Sequence, residues 1–373
     1  MSATSPLSLN QIVALCRPGF ENDCANELMF HASQHQCNAY VKTKPNTGYV
    51  QLIIIETVEQ DIDSNCNALS LMNNITFNQL IFVRQWFVST TEVSVLPEKD
   101  RITEISQIIK TLNVKFNDIE LSYADTNEGK SLSKFCKQFL PHLQRALKNK
   151  KQNQFQKSNN KLNIFFLDST HVFIGINQLN NSATVAMGIP RLRMPSSAPS
   201  RSTLKLDEAI TTFLTLEQQQ QLLKPGMRAV DLGAAPGGWT WQLVQRQLFV
   251  TAIDNGPMDK ALMKTEMVEH LKTDAFTYSQ KKVDWLVCDM VEQPHRVTKL
   301  IAHWFAKGWC KHAIFNLKLP MNKRYEAVRQ CEKTLCTALD KIGQIYSLQT
   351  KQLYHDREEV TVCVLLDHES FNT

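Results

Sequence analysis

The chain has 373 residues, 43% hydrophobic and 21% charged, a mixture that supplies two or three ordinary cores and excludes a disordered or low-complexity protein. No apolar run approaches the roughly 20 residues that span a bilayer, and residues 1–11 lack the basic-then-apolar layout of a secretory leader. The net charge of +5 hides a polarised distribution: residues 129–206 hold 13 Lys and Arg against the single acid Asp168, a segment of +12, and the remainder carries −7. A block of that sign suits a polyphosphate partner, since each neutralised phosphate releases condensed counterion.

Taken in chain order, residues 12–16 read as a strand, Arg17-Pro18-Gly19 as a turn and 21–32 as a helix. A strand is expected over 48–55, a helix over 67–72 and a strand over 80–89, so a small α+β module fills about the first 60 residues and a second follows it. Residues 101–112 set Ile102, Ile105, Ile108, Ile109 and Leu112 on one helical stripe, and 119–124 is a strand. Over 132–148, Leu132, Phe135, Phe139, Leu143 and Leu147 share one side of a helix whose other side carries Lys134, Lys137, Arg145 and Lys148. Residues 162–167 and 171–176 form a hairpin around Asp168-Ser169-Thr170. The stretch 188–200, with Pro190, Pro195 and Pro199, is a linker, itself basic at Arg191 and Arg193.

After Arg201 the pattern changes to regular α/β alternation. Strands are expected over 229–232, 249–254, 268–271, 283–288 and 313–317, with helices over 239–246, 297–306 and 325–340, and two more strands, 345–350 and 360–366, close the chain. Near-continuous apolar strands between helices imply a mostly parallel sheet covered on both faces, and such sheets bind ligands at the carboxyl ends of their strands. The first strand runs into Asp231-Leu232-Gly233-Ala234-Ala235-Pro236-Gly237-Gly238, a glycine-rich turn that lets backbone approach a ligand closely. Asp254, Asp274 and Asp289 follow at later strand ends, where carboxylates accept hydrogen bonds from ribose hydroxyls or an adenine amine. The ten cysteines are scattered with no CxxC pair, which favours reduced, mostly buried thiols in a cytoplasmic protein and no zinc site.

The segments 231–238, Cys288-Asp289-Met290, Asn316-Leu317-Lys318-Leu319-Pro320 and Glu358-Glu359-Val360 resemble the ribosomal-RNA large-subunit ribose 2′-O-methyltransferases of FtsJ type. Within them the chain is similar to bacterial members that carry an RNA-binding THUMP domain and methylate a cytidine in the peptidyl-transferase region of 23S rRNA. The resemblance implies a ferredoxin-like module over 1–60, a THUMP domain over 61–187, a linker over 188–201 and a Rossmann-like methyltransferase domain using S-adenosylmethionine, with no metal, over 202–373. It places a catalytic tetrad on Lys205, Asp289, Lys318 and Glu359, and a cofactor pocket on Ser202, Gly233, Ala235, Pro236, Gly237, Gly238, Asp254, Asp274 and Asp289. Lys134, Lys137, Arg145, Lys148, Arg191 and Arg193 are the expected RNA contacts, for a cytoplasmic monomer acting on naked 23S rRNA or an early ribosomal precursor.

The chemistry supports the same residues. A ribose hydroxyl must lose its proton as a methyl group reaches it, and a lysine takes that proton only if its pKa falls from about 10.4 toward 7 or 8, about 4 kcal/mol of bias against the ammonium. Burial and a second cation supply bias of that sign, so Lys318, after an apolar strand, is the expected base and Lys205 the second cation. Carboxylates raise a lysine's pKa, so Asp289 and Glu359 orient groups rather than activate them. Glu358 is the alternative to Glu359, because strand alternation points only one of the two into the site. Two other classes stay open: a base methyltransferase on structured RNA, and a non-catalytic RNA-binding protein.

Overall fold

The computed structural model describes residues 9–55, 66–90, 93–149, 155–279 and 282–367. They divide into two compact units, Met1–Ile189 and Pro190–Thr373. The expected boundary at 60/61 lies outside the described residues; the division at 189/190 falls within the stretch read as a linker.

The first unit comprises β1 (Gln11–Leu15), α1 (Glu21–Gln34), β2 (Ala39–Thr43), β3 (Tyr49–Ile54), α2 (Ala68–Asn74), β4 (Gln85–Ser89), β5 (Ser94–Val95), α3 (Arg101–Leu112), β6 (Asp118–Tyr123), α4 (Asn127–Ser131), α5 (Ser133–Asn149), β7 (Asn160–Phe166) and β8 (His171–Gln178). One sheet runs β2-β3-β1-β4-β8-β7-β6, with β5 beside β8 and only the β6–β7 pair parallel. The strand expected over 80–89 forms only in its second half. The buried carboxylate of Glu27, on α1, takes the backbone N–H groups of Ile81 (2.5 Å) and Phe82 (2.9 Å), diverting this apolar stretch from the ladder. β2, which lies at the sheet edge and is half exposed, has too weak an apolar pattern to be read from sequence.

The expectation of uniformly reduced thiols is corrected at one pair. Cys37 and Cys66, 29 residues apart, are bridged with their Cα atoms 5.4 Å apart. Cys37 follows α1 and Cys66 precedes α2, so the pairing is tertiary and linear spacing does not encode it. The other eight cysteines are free and all but Cys336 are buried.

The second unit comprises α6 (Thr203–Phe213), α7 (Leu216–Leu222), β9 (Arg228–Leu232), α8 (Gly238–Gln245), β10 (Phe249–Ile253), α9 (Lys260–Met263), β11 (Val268–Leu271), β12 (Val283–Cys288), α10 (Pro294–Ala306), β13 (Cys310–Lys318), α11 (Arg324–Asp340), β14 (Tyr346–Lys351) and β15 (Glu359–Leu366). Its sheet order is β11-β10-β9-β12-β13-β15-β14, parallel from β11 to β13, with β15 and β14 antiparallel. The order reverses at β9, from which the chain builds outward first through β10 and then through β12. That switch point is where open α/β sheets hold ligands. Val230, Leu286, Val287, Ile314, Phe315 and Val362 are fully or almost fully buried, as a sheet covered on both faces requires. Among the described residues no helix is long and apolar enough to cross a membrane.

Candidate active site

Four charged side chains converge at the carboxyl edge of this sheet. Asp289 follows β12 directly, Lys318 is the last residue of β13, Glu359 is the first of β15, and Lys205 comes from the first turn of α6. Lys205 Nζ lies 3.1 Å from Asp289 Oδ2 and 2.5 Å from Glu359 Oε1. Lys318 Nζ donates to Glu359 Oε2 and lies 3.9 Å from Asp289 Oδ1. Glu359 is only 2% exposed, so its charge is held by the two ammonium groups rather than by water.

Strand register sets this geometry. In the antiparallel β13–β15 ladder Lys318 is the direct partner of Glu359 and Asn316 of Thr361, two residues on and therefore on the same face. Asn316 Nδ2 donates to Asp289 Oδ1 (2.9 Å), Thr361 Oγ1 donates to Asn316 Oδ1 (2.8 Å), and Asp356 Oδ2 lies 2.9 Å from the Thr361 hydroxyl. The alternative carboxylate, Glu358, points the other way, two-thirds exposed and paired with Arg324 at 3.1 Å.

On the helix side, Glu208, one turn after Lys205, is buried and accepts from the backbone N–H of Tyr354 (2.7 Å) and His355 (2.8 Å). This clamp ties α6 to the loop leading into β15 and so fixes Lys205 over Glu359. Asn316, Thr361, Asp356 and Glu208 escaped the sequence reading, although Asn316 stood two residues before Lys318 and alternation alone puts the two on one face.

The surroundings weaken the hold of Lys318 on its proton. Burial, and then the neighbouring Lys205 ammonium, hold its pKa below the ordinary lysine value, against the opposing pull of Asp289. Two carboxyls nearby go the other way: burial pushes Asp231, at the end of β9, and Asp356 up to about 7. Asp231 Oδ2 accepts from Thr240 Oγ1 at 2.6 Å.

Beside the tetrad, Gly233, Ala235, Asp254, Asp274, Phe276 and Asp289 line a cavity of about 390 Å³. Asp254 accepts from the N–H of Ala235 (3.1 Å) and of Gly256 (2.7 Å), and its carbonyl is 2.9 Å from His270 Nε2. It is thus both the turn residue and a wall of the cavity. Ser202 is placed against the glycine turn itself: a Cβ on Gly238 would come within 2.2 Å of its Oγ. Gly237, the N-cap of α8, sits at φ +114, a conformation that L side chains resist. Pro236 joins Ala235 by a cis peptide. Three carboxylates around a glycine turn match a cationic nucleoside: hydroxyls and an amine to donate, and a positive centre to be balanced.

A second cavity, about 670 Å³, opens on the other side of the Val291–Glu292 segment, lined by Val291, Pro294, His295, Lys318, Leu319 and Pro320. Only Lys318 belongs to both the tetrad and this mostly apolar chamber. Exposed Val291 and Met321, each 89% accessible, stand at its margins.

The expected RNA contacts are divided between the two units. Lys134, Lys137, Arg145 and Lys148 are exposed along α5 in the first unit, whose opposite side buries Leu143 and Leu147. Arg191 and Arg193 are exposed in the irregular start of the second unit. Not all the basic block is available to a ligand. Lys161 is buried against Glu120 (3.0 Å), Lys130 pairs with Asp125 (3.3 Å), and Lys150 and Lys151 lie outside the described residues. Trp239, next after the glycine turn, packs in the core.

Known proteins match most of the chain, and the ferredoxin-like match runs past the boundary expected at residue 60. Residues 198–363 match the family model described as FtsJ-like methyltransferase, 9–87 the RlmM ferredoxin-like domain, and 100–178 the N-terminal region of ribosomal RNA large subunit methyltransferase M. A ribosomal RNA large subunit methyltransferase M from Psychromonas ingrahamii is 47% identical over 361 residues, covering 95% of this chain and 96% of its own. One from Cellvibrio japonicus is 47% identical over 354 residues, covering 95% and 98%.

Proposed function

Because the chain belongs to the ribosomal RNA large subunit methyltransferase M family, we propose that it methylates the ribose 2′-hydroxyl of a cytidine in 23S rRNA, with Lys318 as the base. S-adenosylmethionine, when bound, supplies an electrophilic methyl group. Gly233, Ala235, Asp254, Asp274 and Asp289 would hold it in the smaller cavity, with Ser202, Pro236, Gly237 and Gly238 shaping the turn beneath.

The acceptor ribose enters from the apolar chamber, where Lys318 is the one basic side chain shared with the tetrad. Lys318 Nζ, as the neutral amine, accepts the hydroxyl proton, Glu359 orients the two lysine nitrogens, and the Lys205 ammonium disfavours the charged form of Lys318. Asp289 and Asn316 fix the approach from the cofactor side. The observation that carries this reading is the shared carboxylate of Glu359, which brings both lysines to one point next to two cavities.

The part of the first unit that follows the ferredoxin-like match at 9–87, rather than everything from 61, serves as the THUMP domain, with α5 as its basic face. The enzyme works in the cytoplasm as a monomer on naked RNA or an early precursor. The test is methylation of ribosomal RNA from a strain lacking the modification, with the product nucleoside identified by mass spectrometry. A 2′-O-methyl nucleoside is expected; a base-methylated one, or none, would overturn the reading.

A further inference from the structure

Residues 293–325 contain seven Lys and Arg and no Asp or Glu. This second basic stretch lies in the methyltransferase unit, far along the sequence from the block at 129–206. Several of its charges are already engaged: Arg296 with Glu292 (2.6 Å), Lys311 with Asp284 (2.7 Å), Arg324 with Glu358 and Lys318 in the tetrad. Lys299 is not; among the described residues it has no carboxylate partner.

Helices α10 and α11 pack side by side and enclose a groove of about 880 Å³. Lys299 and His303 line it from α10, Lys333 and Lys341 from α11, and all four are exposed. Its floor is made of small side chains, Ala302, Ala306, Thr334 and Ala338 among them, so the groove is open to a ligand's backbone. The α11 acids that neighbour it are occupied: Glu332 by Arg329 (2.7 Å) and Asp340 by the Tyr346 hydroxyl (2.8 Å).

One face of α10 contributes to both the groove and the acceptor chamber. His295, Lys299 and His303 recur every four residues and therefore form one stripe of α10, extending about 12 Å. Its first member lines the chamber beside Lys318; the other two line the groove. Lys333, Thr337 and Lys341 repeat the same spacing on α11. Lys341 follows the last turn of α11, where the helix dipole alone would favour a cation. Lys299 and Lys333 are mid-helix and have no such reason to be there.

We infer that the α10–α11 groove binds the phosphodiester backbone of the substrate RNA strand next to the target nucleotide, leading it away from the acceptor chamber. The inference rests on the function proposed above, because that reading puts RNA in the chamber. Phosphate fits the unpaired lysines and the small side chains of a lining that contains no carboxylate.

The test uses the full chain carrying Lys299→Ala, Lys333→Ala and Lys341→Ala together, exposed helical positions where alanine preserves the fold. Binding to naked 23S rRNA is read by filter retention across a salt series, separately from turnover. The variant should bind RNA about tenfold or more weakly at low salt, with a log–log salt slope shallower by about 2, since each phosphate contact contributes about 0.7 to 0.9. S-adenosylmethionine affinity, and kcat at saturating RNA, should match the parent. Unchanged RNA affinity, or weaker affinity with an unchanged slope, would overturn the groove assignment. A parent chain that binds RNA yet forms no 2′-O-methyl nucleoside would instead defeat the proposed reaction, and the binding series would still decide the groove.

Discussion

Lys205 and Lys318 each hold one oxygen of the same buried carboxylate, Glu359, although they come from a helix before the sheet and a strand in its middle. Two ammonium groups drawn this close repel each other, and the repulsion is relieved when one of them loses its proton. The arrangement thus stores the bias that a base needs, while Glu359 keeps both nitrogens in place.

Removing the base is the most direct consequence to measure. Lys318→Ala should lower single-turnover methyl transfer by about 10² to 10⁴, the range for loss of a positioned general base, while S-adenosylmethionine affinity by calorimetry stays within twofold. Lys318→Arg should not restore activity, because a guanidinium keeps its proton. Substantial activity in either variant would mean that another group takes the proton.

The rate should rise with pH as Lys318 deprotonates, with its midpoint below the ordinary lysine range because burial and Lys205 disfavour the ammonium. In Lys205→Met the second cation is gone while Asp289 and Glu359 remain, so the midpoint of the residual activity should move to higher pH. A midpoint that stays put would show that Lys205 exerts no field on the base.

The two adjacent glutamates should separate cleanly. Glu359→Gln removes the charge between the lysines and should cost at least 10²-fold in rate, on the scale of lost electrostatic positioning. Glu358→Gln, an exposed position paired only with Arg324, should change it less than twofold. Comparable losses in the two variants would contradict the strand register.

The sequence disclosed the charges that meet here but not what aligns them. Lys318 and Asp289 could be read because apolar strands end at them, and the α/β alternation located the switch point. The choice between Glu358 and Glu359 needed the β13–β15 register, a pairing across 41 residues. The Glu208 clamp and the Cys37–Cys66 bridge likewise join distant segments and leave no local periodicity. The strand misread at 80–84 failed for the same reason: a glutamate 54 residues earlier takes its N–H groups.

Stability should carry a pH signature from Asp231. Its folded-state pKa of about 7 lies well above the ordinary carboxyl value, so the neutral form favours the fold. That stabilisation is complete below about pH 4 and disappears as pH rises through 7. Asp231→Asn, which retains an acceptor for Thr240, should make the melting temperature fall less between pH 4 and 8 than in the parent. An unaltered pH profile would mean that Asp231 ionises normally in the folded protein.

Charge reversal on α5 addresses the first unit. Lys134→Glu, Lys137→Glu or Lys148→Glu should weaken RNA binding and flatten its salt dependence by about one phosphate's worth each, leaving cofactor affinity intact. Equal RNA affinity at low and high salt would count against α5 as an RNA surface.

The ladder that seats Lys318 opposite Glu359 also limits how this enzyme can be re-engineered. Residues added to the turn before β14 leave the catalytic pairing in step, because the main chain re-enters β15 on the same count. A single residue inserted within either strand inverts the parity of everything beyond it. Glu358 would then face the lysines, and Glu359 and Thr361 would turn away from Asn316 and Asp289. Loop length is negotiable in this protein; the odd-or-even position of a residue along two strands is not.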